Sequence, residues 1–273
     1  MNKSRQRAIE KIALNMRDKC NVISYGFQNI FESAQKVGYR VIRYPVGKDS
    51  LLGFAMIKDG DRIIFSNSSL ILSREIFTIA HEIGHQKLHL SETDKIFIKD
   101  IDFDEKNEFE YEANYFASCL LMPEEKVRNF IKFELNEKHR SLWNGFDIAR
   151  LQTAFSTSYE MTLIRLKVLE IIDGELFDRL KMEKIEQSAS KLLHRISGNV
   201  DLCKSSEFKS LPAEVFEWVI SNYNERLIPV KSLQTALNYV DLRVEELDKA
   251  IINVDQEKDD ESESFDDLLR GMD

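Results

Sequence analysis

The chain has little of what most readily assigns a protein to a class. Its three cysteines, Cys20, Cys119 and Cys203, are odd in number, widely spaced and in no Cys-x-x-Cys pair. That excludes a disulfide scaffold and a thiolate zinc site, and it fits a reducing, cytoplasmic setting. No stretch approaches 18 uncharged apolar residues, and the opening "MNKSRQRAIEKIALNMRDKC" has no continuous apolar core, so neither a membrane span nor a signal peptide is expected. A basic excess is missing too. The formal charge is -9, and residues 255–273 carry nine acids against Lys258 and Arg270, which leaves the rest of the chain near -2. Without surplus Lys and Arg to neutralise phosphates, direct nucleic-acid binding is not expected. What remains is a 273-residue chain, 43% hydrophobic, with ample apolar content for a packed core.

Residues 4–37 read as one or two helices, with Ile9, Ile12, Ala13 and Met16 and then Phe27, Ile30, Phe31 and Ala34 at helical spacing, stopped by Gly38. "YRVIRYPV", "LLGFAMIK" and "RIIFSN" are short runs rich in β-branched and aromatic residues. Asp59-Gly60 joins the last two as a hairpin turn. Ser73 is placed to cap a helix over about 74–89. After an acidic connection, a further helix runs from near Glu108 to Leu121, ended by Pro123. Residues 124–172 are helical, the last part as helix, turn and helix. The expected class is α+β: a small antiparallel or mixed sheet, two helices carrying chemistry, and a helical C-terminal extension. The expected divisions are 1–172, a helical region 173–254, and an acidic tail 255–273 too charged to pack.

The chemistry concentrates in "FTIAHEIGHQKLHL", residues 77–90. On a helix, His81 and His85 lie one turn apart on one face, able to reach a single ion. Glu82, offset by about 100°, is placed for a metal-bound water instead, as the general base of a zinc hydrolase. HExxH alone arises by chance in roughly one such chain in a hundred, so context decides. A catalytic site needs a third ligand and an open position. The extended metzincin pattern is excluded, because Leu88 and Ser91 stand where it needs Gly and His. The helix "EFEYEANYFASCLLMP" supplies Glu110, whose face also carries Ala113, Asn114, Ala117 and Leu121, with Glu112 as the fallback and the losing glutamate expected in solvent. Asn114 is the expected supporting residue beside a ligand. His89 is expected to pack or hydrogen-bond away from the ion, and Cys119 to be a core residue. One zinc ion is the expected cofactor; iron or manganese also suits a His-His-carboxylate set.

"REIFTIAHEIGHQKLHL", followed by "EYEANYFASCLLMP" and "IARLQTAFSTSYEMTLIRLKVL", resembles the ImmA/IrrE family of zinc metallopeptidases over roughly residues 35–170. The resemblance implies a zincin-like core, His81, His85 and Glu110 as metal ligands, Glu82 as general base, and a helix-turn-helix repressor as protein substrate. Its cleavage would release phage, mobile-element or stress-response genes.

Residues 62–67, with Ile63, Ile64 and Phe65, are a candidate edge strand on which an extended substrate could pair, and the same run would serve equally well as plain core sheet. The helix-turn-helix pattern of residues 147–172 has balanced charges and is expected to cap the core rather than read DNA. The C-terminal helices with Phe216 and Trp218 are a small domain or a docking module, and the acidic tail could cover a basic surface of a partner. The competing functional reading is a binding module that keeps the metal site and docks a repressor or antitoxin without cutting it.

Overall fold

In the computed structural model, the described residues are 1–58, 60–90, 98–100, 108–247 and 252. Two compact units divide the chain, Met1–Phe208 and Lys209–Asp273.

The first unit opens with α1 (Lys3–Lys19), capped by the Asn2 side chain, and α2 (Ile30–Lys36), capped by Asn29. Three strands follow: β1 (Tyr39–Tyr44), β2 (Gly53–Lys58) and β3 (Asp61–Asn67). β2 and β3 form the expected hairpin, with Lys58 opposite Asp61 and Gly60 at φ +86°, a left-handed conformation that glycine adopts without penalty. Asp59 lies outside the described residues. The sheet is mixed. β3 runs parallel to β1 and antiparallel to β2, and a short β4 (Ile98–Asp100) pairs antiparallel with β2, giving the order β1-β3-β2-β4.

This order corrects the expectation for residues 62–67. β3 is an interior strand whose backbone is shared between β1 and β2, so Ile63, Ile64 and Phe65 have no free ladder to offer a substrate. The side chain of Ile64 is wholly buried. A run of β-branched and aromatic residues marks a strand; it does not mark whether that strand is at an edge.

Helix α3 (Leu72–His85) crosses this sheet, and α4 (Glu108–Leu121) packs on it. The start of α3 differs from the expectation. Ser73 is buried inside the first turn, and the N-cap is Ile71, without a side-chain cap. The Leu72 amide donates instead to Lys204 O at 2.7 Å, and Ile71 bridges Ser205. A segment 132 residues downstream thus satisfies an end that no local residue caps. The far end of α3 passes into a π-helical turn, residues 86–90. Gln86 Nε2 there donates to Met56 O (3.2 Å) and Ile63 O (2.8 Å), tying the helix end to the hairpin.

Close packing of α3 and α4 depends on Gly84. A Cβ added there would lie 3.0 Å from Phe116 Cδ1 and 3.2 Å from Ala113 Cα. The C-terminal end of α4 is held by two buried guanidinium groups: Arg17 donates to Leu120 O at 2.8 Å and Arg165 to Met122 O at 2.9 Å. Both cations face the negative end of the helix dipole. The same helix is flanked by α1, with Ile9, Ala13 and Met16 turned inward.

The remaining helices of this unit are α5 (Glu124–Phe133), α6 (Gly145–Phe155), α7 (Tyr159–Val168), α8 (Gly174–Gln187) and α9 (Ala189–Arg195). α6 and α7 form the expected helix-turn-helix shape, with an Asn144–Asp147 capping box, Ser156 in the left-handed region and Ser158 capping α7. Arg165 on α7 is only 2% exposed and directs its hydrogen bond to the end of α4. The unit runs on past residue 172, because Leu176, Leu180, Leu192, Leu193 and Leu202 join the same core. Amphipathic spacing shows that a helix has an apolar face without showing which core receives it.

The second unit contains α10 (Ala213–Asn224) and α11 (Val230–Asn238), packed through Tyr223, Leu233 and Leu237. The acidic tail 255–273 lies outside the described residues. Among those described, no helix is long and apolar enough to cross a membrane.

Candidate metal centre

The C-terminal half of α3 is enclosed by the sheet and α4, and its His81, Glu82 and His85 are 0% exposed. His81 Nε2 and His85 Nε2 lie 2.8 Å apart. Glu110, from the first turn of α4, brings Oε2 to 3.1 Å from His81 Nε2 and Oε1 to 3.3 Å from His85 Nε2. Two imidazole nitrogens and a carboxylate therefore converge, and this buried trio can hold a metal ion.

The donor chemistry fits a divalent cation. Each imidazole has its other nitrogen engaged by protein: His81 Nδ1 lies 2.9 Å from Asn114 Oδ1, and His85 Nδ1 lies 3.0 Å from His89 Nδ1. Because the amide oxygen accepts, His81 carries its proton on Nδ1 and presents a lone pair at Nε2. Zinc ligands at about 2.0–2.2 Å from an ion stand on the order of 3.4 Å from one another in a tetrahedron, close to the spacing of this trio.

Glu82 sits beside the cluster on the next face of α3. Its Oε1 is at the start of β2, where a Cβ on Gly53 would come within 3.2 Å of it. The same Cβ would meet Thr78 Cγ2 at 2.6 Å and Phe65 O at 2.8 Å. Glycine is needed there because the strand passes directly over the helix.

The structure brings Glu110, rather than Glu112, to the two histidines, but Glu112 is not the solvated residue the sequence suggested. It is 5% exposed, accepts Arg5 Nε at 2.6 Å on Oε1 and Arg5 Nη2 on Oε2, and lies 3.2 Å from His89 Nε2. The hydrogen bond from Arg5 holds its carboxyl below the usual range. Burial, against the pull of Glu112, brings the His89 imidazole down to about 4, so the ring is neutral near pH 7. His89 turns one nitrogen to His85 and the other to Glu112, which places it behind the cluster. Its spacing four residues after His85 was the available signal. Arg5 had none, being 107 residues from its partner.

An open groove of about 520 Å³ adjoins the cluster between α3, α4 and α7, lined by Phe77, Tyr111, Asn114, Tyr115, Met161 and Ile164 among others. Asn114 belongs to both, touching His81 on one side and the groove on the other. Phe77, also shared, has its ring centroid 6.4 Å from that of His81.

Residues 34–167, which run from the end of α2 into the last turn of α7, match the IrrE N-terminal-like domain of the M78 peptidases. Over this segment the chain is similar to that domain. The family is one of metal-dependent peptidases, and the α+β core agrees with its zincin-like fold. A curated relative from Bacillus phage phi105, described as "Uncharacterized immunity region protein 2", is 28% identical over 121 residues, covering 44% of this chain and 75% of the relative. Arg5 and the two units' C-terminal helices lie outside the IrrE-like domain.

Proposed function

We propose that the chain is a zinc-dependent endopeptidase that cuts a protein regulator, a helix-turn-helix repressor, and thereby derepresses phage, mobile-element or stress genes. The observation that carries this reading is the convergence of His81, His85 and Glu110 beside the buried Glu82, within a segment that matches a peptidase family. A divalent cation held there supplies Lewis acidity toward a peptide carbonyl and lowers the pKa of nearby water. Glu82 takes the proton from the attacking water and returns it to the leaving amine. Asn114 and His89 hold the two imidazoles with Nε2 facing inward. With β3 closed off as a ledge, the groove between α3, α4 and α7 is the better seat for an apolar segment of substrate. The immunity-region designation of the phage relative supports a regulatory protein as the target.

The test compares wild type with Glu82→Gln in the native host, by cataloguing newly generated peptide N-termini. A peptidase yields one or a few sites, in a DNA-binding regulator, only with the wild type. Identical profiles, with regulatory output retained by Glu82→Gln, would instead establish a binding module that uses the metal site without cutting.

A further inference from the structure

The helix that precedes the IrrE-like domain contributes one side chain to the surroundings of the metal cluster. Arg5, on α1, grips Glu112 with both Nε and Nη2. Glu112 Oε2 faces His89 Nε2 at 3.2 Å, His89 Nδ1 faces His85 Nδ1 at 3.0 Å, and His85 Nε2 faces the cluster. Four residues from three segments thus form one line, ending at a metal-binding nitrogen.

The proton positions along this line follow from the chemistry of its far end. A carboxylate paired with a guanidinium is ionised and only accepts hydrogen bonds. The His89 nitrogen beside it therefore carries the ring proton, which leaves a lone pair on His89 Nδ1. Two lone pairs cannot share a 3.0 Å contact, so His85 Nδ1 carries a proton and donates it to His89. His85 Nε2 is then the lone pair aimed between His81 and Glu110. Each step depends on the one before it, and the first is the acceptor character of Glu112.

We propose that Arg5, Glu112 and His89 form a positioning relay that sets the tautomer of His85, so that α1 governs how well the IrrE-like domain holds its metal. The inference rests on the reading of the cluster as a metal centre and is independent of whether any protein is cut. Arg5 and Glu112 touch no reacting atom; they act through His89 and His85. The supports behind metal-bound histidines are worth about 10- to 100-fold in affinity where they have been removed.

The experiment uses the full chain, labelled with 15N-histidine and loaded with zinc, with long-range 1H–15N spectra to assign ring tautomers. The zinc dissociation constant is measured by chelator competition for wild type, Arg5→Met, Arg5→Lys and Glu112→Gln. The expected spectrum of the wild type has the His89 proton on Nε2, and Glu112→Gln, which can donate as well as accept, gives a mixture. Arg5→Met and Glu112→Gln are expected to weaken zinc binding by about 10- to 100-fold, with Arg5→Lys recovering part of the loss. A wild-type His89 protonated on Nδ1 overturns the proposal, as does wild-type zinc affinity in both Arg5→Met and Glu112→Gln. If Glu112→Gln does not fold, the wild-type spectrum and Arg5→Met decide alone. A wild type that binds zinc with the expected tautomers yet produces no Glu82-dependent cleavage removes the peptidase reading and leaves the relay standing.

Discussion

Replacing Gly84 by alanine sets two opposed effects against each other inside the metal-binding helix. In an ordinary helix interior the change favours folding by about 1 kcal/mol, since alanine loses less backbone entropy than glycine. Here the new methyl would lie 3.0 Å from Phe116 Cδ1, 3.2 Å from Ala113 Cα and 3.3 Å from Ala113 O. Two of these three atoms are backbone and the third belongs to a ring that is 0% exposed, so none yields easily. Overpacking of this kind costs about 1–3 kcal/mol, which outweighs the gain in propensity. The expected net loss is about 1 kcal/mol, or roughly 3 °C in the melting temperature of a unit this size. The geometric effect matters more. Relief requires α3 and α4 to separate by a few tenths of an ångström, and Glu110, one turn before Ala113, moves with α4. Its carboxylate then leaves the 3.1 and 3.3 Å positions it holds against His81 and His85. Zinc affinity is expected to fall about tenfold, the size of effect produced by disturbing the supports of a metal ligand. Denaturant melts of the metal-free protein and a competitive zinc titration measure the two parts separately. A Gly84→Ala protein that is more stable by about 1 kcal/mol and binds zinc as wild type would refute the argument that helix approach positions Glu110.

Two further outcomes follow from buried polar groups. Glu75 is 0% exposed and accepts Arg43 Nε and Nη2 at 2.8 Å each, with Ser66 Oγ at 2.9 Å, while the Arg43 guanidinium lies 3.8 Å from the centre of the Phe31 ring. Glu75→Ala strands that cation and is expected to cost about 3–5 kcal/mol in urea melts; a loss below about 1 kcal/mol would show that solvent reaches Arg43. Burial pushes the thiols of Cys20, Cys119 and Cys203 above their usual value, and Cys119 is only 1% exposed. In mass-spectrometric alkylation near pH 8, Cys119 is expected to stay unmodified until the protein unfolds, and rapid labelling there in the native state would contradict its place in the core.

Much of the site could be read from the order of residues, because its main parts are local. His81, Glu82 and His85 fall within five positions of one helix, where the 3.6-residue repeat settles which side chains share a face. The strands, the hairpin and α4 were legible in the same way, from patterns a few residues long. Ser73 shows where this fails: a residue suited to capping is buried because Lys204 O accepts the Leu72 amide instead. The interior position of β3 was also invisible, since pairing with β1 on one side and β2 on the other is a property of the sheet and not of "RIIFSN".

Sequence alone determined most of the elements, though not the short β4 within the acidic connection, and it determined the histidine pair with its glutamate and the two carboxylates on α4 able to join them. Only the tertiary structure decided between those carboxylates. Gly84 and Ala113 let two helices approach so that Glu110 meets both histidines, while Arg5, from a helix more than a hundred residues away, takes Glu112. A helical repeat states which residues lie together on one cylinder; which of two neighbouring faces meets a partner depends on the packing of the whole core, where distant residues fill the remaining space.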